Sequence, residues 1–91
     1  MIKPIEKNAG YAIVQYEEYN KALHWFVVLG HNENTGMWVT WFCKGSDDFS
    51  FGHYYQSENA ARQDYHERLA EHYTYLYEYD DAEQFAEDSK A

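Results

Sequence analysis

The sequence has little cysteine and little proline: each occurs once among 91 residues. Because an internal disulfide needs two cysteines, the lone Cys43 excludes one and is typical of proteins from a reducing compartment. The N-terminal residues MIKPIEKNAG contain no apolar signal core, and no apolar run is long enough to span a bilayer. We therefore expect a soluble, cytoplasmic protein that forms a single domain over residues 1–91.

Basic residues are also scarce. Seven lysines and arginines stand against sixteen aspartates and glutamates, which gives a formal net charge of −9. The imbalance lies mostly in the C-terminal part of the chain, since residues 1–56 carry −2 and residues 57–91 carry −7. Direct nucleic-acid binding needs a basic surface and is excluded, whereas a partner protein with a basic surface fits this charge well.

Catalytic and metal-binding motifs are missing as well. HERLAEH, residues 66–72, has its histidines six positions apart, whereas the zinc-peptidase motif needs them four apart on one helix face. No ligand spacing relates the other three histidines, which are His24, His31 and His53. Cys43, near the end of an apolar stretch, is typical of a small buried hydrophobe. We therefore expect no enzyme, no metal and no cofactor, with a ligand or metal site built from these histidines and Cys43 as the minor alternative.

Aromatic residues are abundant, at 20% of the chain: ten tyrosines, five phenylalanines and three tryptophans. Such rings bury much surface in a small core, and tyrosine is also enriched at binding surfaces. Composition alone leaves both uses open. From their place in apolar stretches, we expect six of the rings mostly in the core: Trp25, Phe26, Trp38, Trp41, Phe42 and Phe51.

Four stretches rich in β-branched and aromatic residues predict β-strands: residues 11–19, 24–31, 37–43 and 49–55. Residues 1–9 are polar and are predicted to be a lead-in to the sheet. Gly36, at the end of NENTG, and the sequence KGSDD provide turn signals between strands. Short connections between successive strands favour an antiparallel meander over residues 10–56.

Residues 57–79 are predicted to form one long helix, with Ser57 suited to its N-cap. An amphipathic stripe recurs at intervals of four, four, four and three residues: Ala61, Tyr65, Leu69, Tyr73 and Leu76. The alternating tyrosines of HYTYLYEYDDAE leave a strand as the alternative for residues 73–79. Residues 80–91 are predicted to be an acidic C-terminal segment, either a short helix or a tail.

The predicted fold class is therefore α+β: a four-stranded antiparallel sheet, in meander order, packed on one face by a long C-terminal helix. The second and third predicted strands are apolar on both faces, and one helix covers only one face of a sheet. We therefore expect the other face to be covered by the C-terminal segment, by a partner or by a second copy of the chain.

Acidic side chains form a stripe along the predicted helix, at spacings of three, four and seven residues: Asp64, Glu67, Glu71 and Glu78. One interpretation is a solvated face, weakened as a field by local pairing with Arg62 and Arg68. The other is a row of carboxylates that stands in for the phosphates of a nucleic acid, with tyrosines adding contact area. The partner-binding residues would then be Asp64, Glu67, Glu71, Tyr75, Tyr77, Glu78, Tyr79, Asp80 and Asp81.

In size, acidity and sheet-plus-helix layout, the chain is similar to small inhibitors that phages and mobile elements encode against nucleic-acid-binding host defences, anti-CRISPR proteins among them. The similarity is one of general character, and it implies a protein that blocks a nucleic-acid site of its target. We expect a non-enzymatic inhibitor of this kind, bound to a basic surface of a partner protein. The alternative is a homodimeric assembly module that uses the aromatic sheet face.

Overall fold

A computed structural model describes residues 1–80 of the chain and the side chains of residues 1–72. These residues form β1 (Lys7–Asn8), β2 (Tyr11–Asn20), β3 (Trp25–His31), β4 (Trp38–Lys44), β5 (Asp48–Tyr55) and α1 (Glu58–Asp80). The strands follow the order β1-β2-β3-β4-β5 in one sheet, and all neighbours are antiparallel. The predicted α+β meander is confirmed, while the C-terminal segment beyond Asp80 lies outside the described residues. Among residues 1–80, no helix combines the length and the apolar character that a bilayer crossing requires.

The predicted number of four strands is wrong, because β1 lies in the stretch expected to be a lead-in. This short strand pairs with the start of β2 across a two-residue turn. Both turn residues have positive φ, 53° at Ala9 and 87° at Gly10, as a tight hairpin of type I′ requires. Glycine adopts this conformation readily but alanine seldom does, so the dipeptide carries a weaker hairpin signal than Asn-Gly or Asp-Gly.

The helix α1 begins where the sequence predicts. Ser57 caps its N-terminus, because the backbone N–H of Ala60 donates a hydrogen bond to the Ser57 Oγ at 3.2 Å. The helix then continues without interruption to Asp80. The helical interpretation of residues 73–79 is therefore confirmed, and the strand alternative is wrong.

The helix packs on one face of the sheet through its predicted apolar stripe. One buried cluster joins three residues of that stripe to three residues of β2 and β3: Ala61, Tyr65, Leu69, Tyr19, Val27 and Leu29. Half-buried rings surround this cluster: Trp25, Trp38, Phe42 and Tyr55. Since full burial of one large apolar side chain contributes about 1.5–3 kcal/mol, the cluster is sufficient to fix the helix on the sheet.

The other face of the sheet has a buried cluster of its own, formed by Phe26, Val28, Val39, Trp41 and Cys43. The sheet curls toward this face, since the rings of Tyr11 and Tyr54 are 5.9 Å apart although their strands, β2 and β5, are not neighbours. The N-terminal segment adds to the cover: Pro4 is buried, and the N–H of Ile5 donates to the carbonyl of Ser46 at 2.8 Å. The curl of the sheet and the N-terminal segment thus cover part of this face, which was expected to be covered by the C-terminal segment, a partner or a second copy.

One predicted core ring, Phe51, is 75% exposed, so its expected burial is wrong. The pairing of β4 with β5 shifts register between Thr40 and Phe42, and Phe51 has a φ of 56°. Such a bulge breaks the two-residue alternation of a regular strand and turns Phe51 away from the core. The other five predicted core rings are buried or half-buried.

Candidate functional site

A groove of about 250 Å³ lies between β5 and α1, and we refer to it as the β5–α1 groove. Its lining consists of Phe42, Phe51, His53, Asp64, Glu67, Arg68 and Glu71. The structure therefore brings together three of the predicted partner-binding residues, Asp64, Glu67 and Glu71, and places them beside an exposed aromatic ring. This groove is the candidate site.

The floor of the groove is formed by Arg68, which is only 5% exposed. Its Nε donates a hydrogen bond to Asp64 Oδ2 at 3.1 Å, and its Nη2 donates to the carbonyl of Phe51 at 2.6 Å. The guanidinium lies over the ring of Phe42, 4.5 Å from the centroid. The predicted local pairing of Arg68 with an acid is confirmed, and Arg68 also ties α1 to the bulge of β5.

Asp64 is a shared acceptor at the interface between helix and sheet, and its side chain is only 16% exposed. Besides Arg68, the hydroxyl of Thr40 donates to Asp64 Oδ2, and Nδ1 of His53 lies 3.2 Å from the same oxygen. Burial raises the pKa of Asp64, but these hydrogen bonds and the charge of Arg68 outweigh burial, so the pKa lies below its ordinary value of 3.8. Asp64 thus holds the groove together and offers little surface to a partner.

The rim of the groove carries two exposed carboxylates, Glu67 and Glu71, one helical turn apart on α1. Gln63 Nε2 donates a hydrogen bond to Glu67 Oε2 at 3.2 Å. Phe51 of β5 adds the exposed ring. With three carboxylates and one guanidinium in the lining, and His53 counted as neutral, the groove has a net charge of −2. Such a site attracts cations and offers them an aromatic face.

The other predicted partner-binding residues lie further along the chain. Five of them belong to α1, but their side chains lie outside the described side chains: Tyr75, Tyr77, Glu78, Tyr79 and Asp80. Asp81 lies outside the described residues. Their role in binding stays a prediction, which rests on the charge of −7 carried by residues 57–91 and on tyrosines as contact anchors.

Four residues of the groove were not among the predicted partner-binding residues: Phe42, Phe51, His53 and Arg68. A signal for Phe51 was present, since Gly52 inside a strand pattern often marks a bulge. A signal for Arg68 was its spacing, four residues after Asp64 and three after the buried Tyr65, which places it beside the apolar stripe of α1. Its contact with the carbonyl of Phe51, 17 residues away, follows only from the fold.

A second aromatic contact joins α1 to the sheet at His72. The ring of His72 lies 4.3 Å from the ring of Tyr19 and 5.0 Å from that of Phe42. Burial lowers the pKa of His72 below its ordinary value of 6.5 and outweighs the charge of Glu71, which raises it. The folded state therefore favours the neutral form of His72.

We expect the free energy of unfolding to fall as the pH drops below about 6.5, because the unfolded chain then binds a proton at His72 more readily than the folded chain does. Urea unfolding between pH 7.5 and 5.5 measures this slope. His72→Gln should flatten this slope, and His66→Gln, at an exposed position of the same helix, is the control for the loss of a histidine as such. Equal slopes for the wild type and His72→Gln would show that His72 does not cause the pH dependence.

Cys43 is buried, as its apolar strand predicts. Burial raises the pKa of its thiol to about 11. The thiol is therefore protonated at neutral pH and is a poor nucleophile. Among the described side chains, those of residues 1–72, no group of three or more histidines, cysteines or acids is placed to hold a metal ion.

Comparisons of the chain with protein-family models, with curated proteins and with solved structures each gave no match. No functional residue is therefore transferred to this chain from another protein.

Proposed function

We propose that the chain is a non-enzymatic binding protein that occupies a basic, nucleic-acid-binding surface of a partner protein and blocks access to it, as phage or mobile-element inhibitors of the anti-CRISPR type do. The rim of the β5–α1 groove carries this proposal. There, the exposed carboxylates of Glu67 and Glu71 lie beside the exposed ring of Phe51. An acidic pair beside an aromatic anchor offers a basic surface both charge and contact area.

The charge distribution supports the same proposal. Residues 57–91 carry −7, and attraction between oppositely charged surfaces speeds association. Acids one helical turn apart place a charge about every 5.4 Å, whereas duplex DNA carries one about every 1.7 Å of its axis. The helix alone is therefore a sparse imitation of a phosphate backbone, and aromatic contacts have to supply part of the affinity.

The homodimeric alternative rests on an open aromatic face of the sheet. In the described structure that face contains a buried cluster, in which Phe26 is 3% and Trp41 is 5% exposed. The curl of the sheet leaves less aromatic surface there for a second copy than the sequence suggested. Assembly through this face therefore stays a prediction, and no observed feature favours it over partner binding.

Reversing the two rim charges should prevent capture of the partner. At low salt, the wild-type protein should retain a partner from a lysate of the source organism, and duplex DNA should displace it. A variant with Glu67→Lys and Glu71→Lys should retain at most about one tenth of the amount of partner that the wild type retains, because two attractive contacts become repulsive. The measurement is the amount of the same identified partner on each variant.

The control variant carries Glu33→Lys and Asp47→Lys, at exposed positions in the connections between strands. Each substitution adds two charge units, so both double variants change the net charge from −9 to −5. The control should retain the partner. Wild-type retention by the rim variant would contradict the proposal, and equal loss from both variants would contradict the specific role of the rim.

A further inference from the structure

The β5–α1 groove is small and negatively charged. Its volume of about 250 Å³ is below the roughly 300–1,000 Å³ of sites for drug-sized ligands, so it suits a single side chain better than a cofactor. Its net charge of −2 selects a cationic side chain. The rings of Phe42 and Phe51 add flat apolar surface, which a planar cation covers most fully.

We infer that the groove receives an arginine side chain of the basic partner, with its guanidinium on the ring of Phe51 and its N–H groups donating to Glu67 and Glu71. This inference rests on the proposed function and names the side chain of the partner that contacts the groove. Arginine fits better than lysine, because its guanidinium is planar, stacks on aromatic faces and presents several donors to carboxylates at once.

Phe51 is held in place before a partner binds. Its φ of 56° is rare for a bulky residue, and Nη2 of Arg68 donates to its carbonyl at 2.6 Å. The side chain is nevertheless 75% exposed. A ring whose backbone is already fixed loses less conformational freedom on binding than a ring on a mobile loop.

The chain already pairs cations with its own rings. The guanidinium of Arg68 lies 4.5 Å from the ring centroid of Phe42, and Nζ of Lys44 lies 4.8 Å from that of Trp25. Within the described side chains, no lysine or arginine covers Phe51 in this way. The exposed ring is therefore open to a cation from another molecule.

A buried donor belongs to the same groove. Arg68 is 5% exposed, and its Nη1 has no hydrogen-bond partner among the described residues. An unsatisfied buried donor is costly, so an acceptor that reaches it is stabilising. Nη1 itself is buried, so a main-chain carbonyl of a bound polypeptide reaches it only if the Arg68 side chain shifts on binding. Because the proposed partner is a protein, the occupant is an arginine residue within a polypeptide.

Peptides of nine arginines and of nine lysines test this inference as probes. Fluorescence anisotropy at one fixed salt concentration gives their Kd for the wild type, Phe51→Ala and the control Leu23→Ala, which changes an exposed apolar residue between β2 and β3. The wild type should bind the arginine peptide about two- to fivefold more tightly than the lysine peptide. Phe51→Ala should reduce this preference without changing the thermal midpoint, because stacking is lost while the carboxylates remain, and Leu23→Ala should leave the preference unchanged.

The outcomes separate the inference from the proposed function. If both peptides bind but Phe51→Ala keeps the full arginine preference of the wild type, the groove is not the arginine site, although an acidic binding surface remains. If the wild type binds the arginine and lysine peptides with equal Kd, the groove has no preference for arginine and the inference fails, although an acidic binding surface remains. If neither peptide binds, the proposed function fails with it.

Discussion

Replacing Asp64 with alanine should lower the free energy of unfolding by about 3–5 kcal/mol, because the buried charge of Arg68 then has no carboxylate partner. Arg68 is 5% exposed and the side chain of Asp64 is 16% exposed, so water screens this charge only weakly. Thr40 and His53 lose the same acceptor. Since small domains are stable by only about 5–15 kcal/mol, the loss is a large part of the total.

Urea unfolding measures this effect, and two further observations identify its cause. Adding Arg68→Met to Asp64→Ala should restore much of the stability, because the unpaired charge is removed and an apolar side chain remains. The difference between wild type and Asp64→Ala should shrink as the pH falls below about 3.8, because the unfolded chain then takes up a proton at Asp64 more readily than the folded chain, in which the pKa of this carboxyl is lowered. A cost below about 1 kcal/mol would be that of a surface ion pair and would show that Asp64 is free to bind a partner.

Replacing Gly52 with alanine should destabilise the protein by about 1–3 kcal/mol, because the site is already filled. A Cβ at this position would lie 2.7 Å from Trp41 Nε1 and 3.1 Å from Trp41 Cδ1. Trp41 is 5% exposed and packs in the second buried cluster, so its indole has little room to move. The close approach of this ring, where the bulge of β5 faces β4, is therefore what requires glycine.

The test is a double-mutant cycle followed by urea unfolding. In a Trp41→Phe background, the same Gly52→Ala substitution should cost less, because the indole Nε1 that it would contact is gone. An equal cost in both backgrounds would show that the ring of Trp41 is not the cause, and would leave Tyr54 Cε1, 3.1 Å from the same Cβ position, or the backbone of β5 as the reason for glycine.

The helix and the four longer strands could be predicted because each has a repeating local signal. Ser57 and the stripe through Ala61, Tyr65 and Leu69 define the start and the packed face of α1. The strand β1 could not be predicted, since two residues are too few to show a period. The N-terminal segment is held near the second sheet face by a backbone hydrogen bond between Ile5 and Ser46. These residues are far apart in sequence, so no local pattern predicts this contact.

In the candidate site, helical spacing identified three lining residues but treated Asp64, Glu67 and Glu71 as equivalent. The structure distinguishes them, because the hydroxyl of Thr40 donates a hydrogen bond to Asp64. Thr40 lies 24 residues before Asp64 in the sequence, so helical spacing could not indicate this contact. Phe51 was missed for a related reason, since a bulge changes which side chains share a face without changing the composition of the strand. Local sequence patterns therefore predicted the acidic surface, whereas contacts between residues far apart in sequence determine which of its side chains are exposed.

The most direct test of partner blocking is whether the partner holds duplex DNA and this chain at the same time. Once the partner has been identified by capture, the three components are mixed and their complexes are separated by size exclusion with light scattering. Occupation of the nucleic-acid site predicts two binary complexes, partner with DNA and partner with this chain, and no complex of all three. A stable ternary complex would place the interface elsewhere on the partner and would contradict the proposed function.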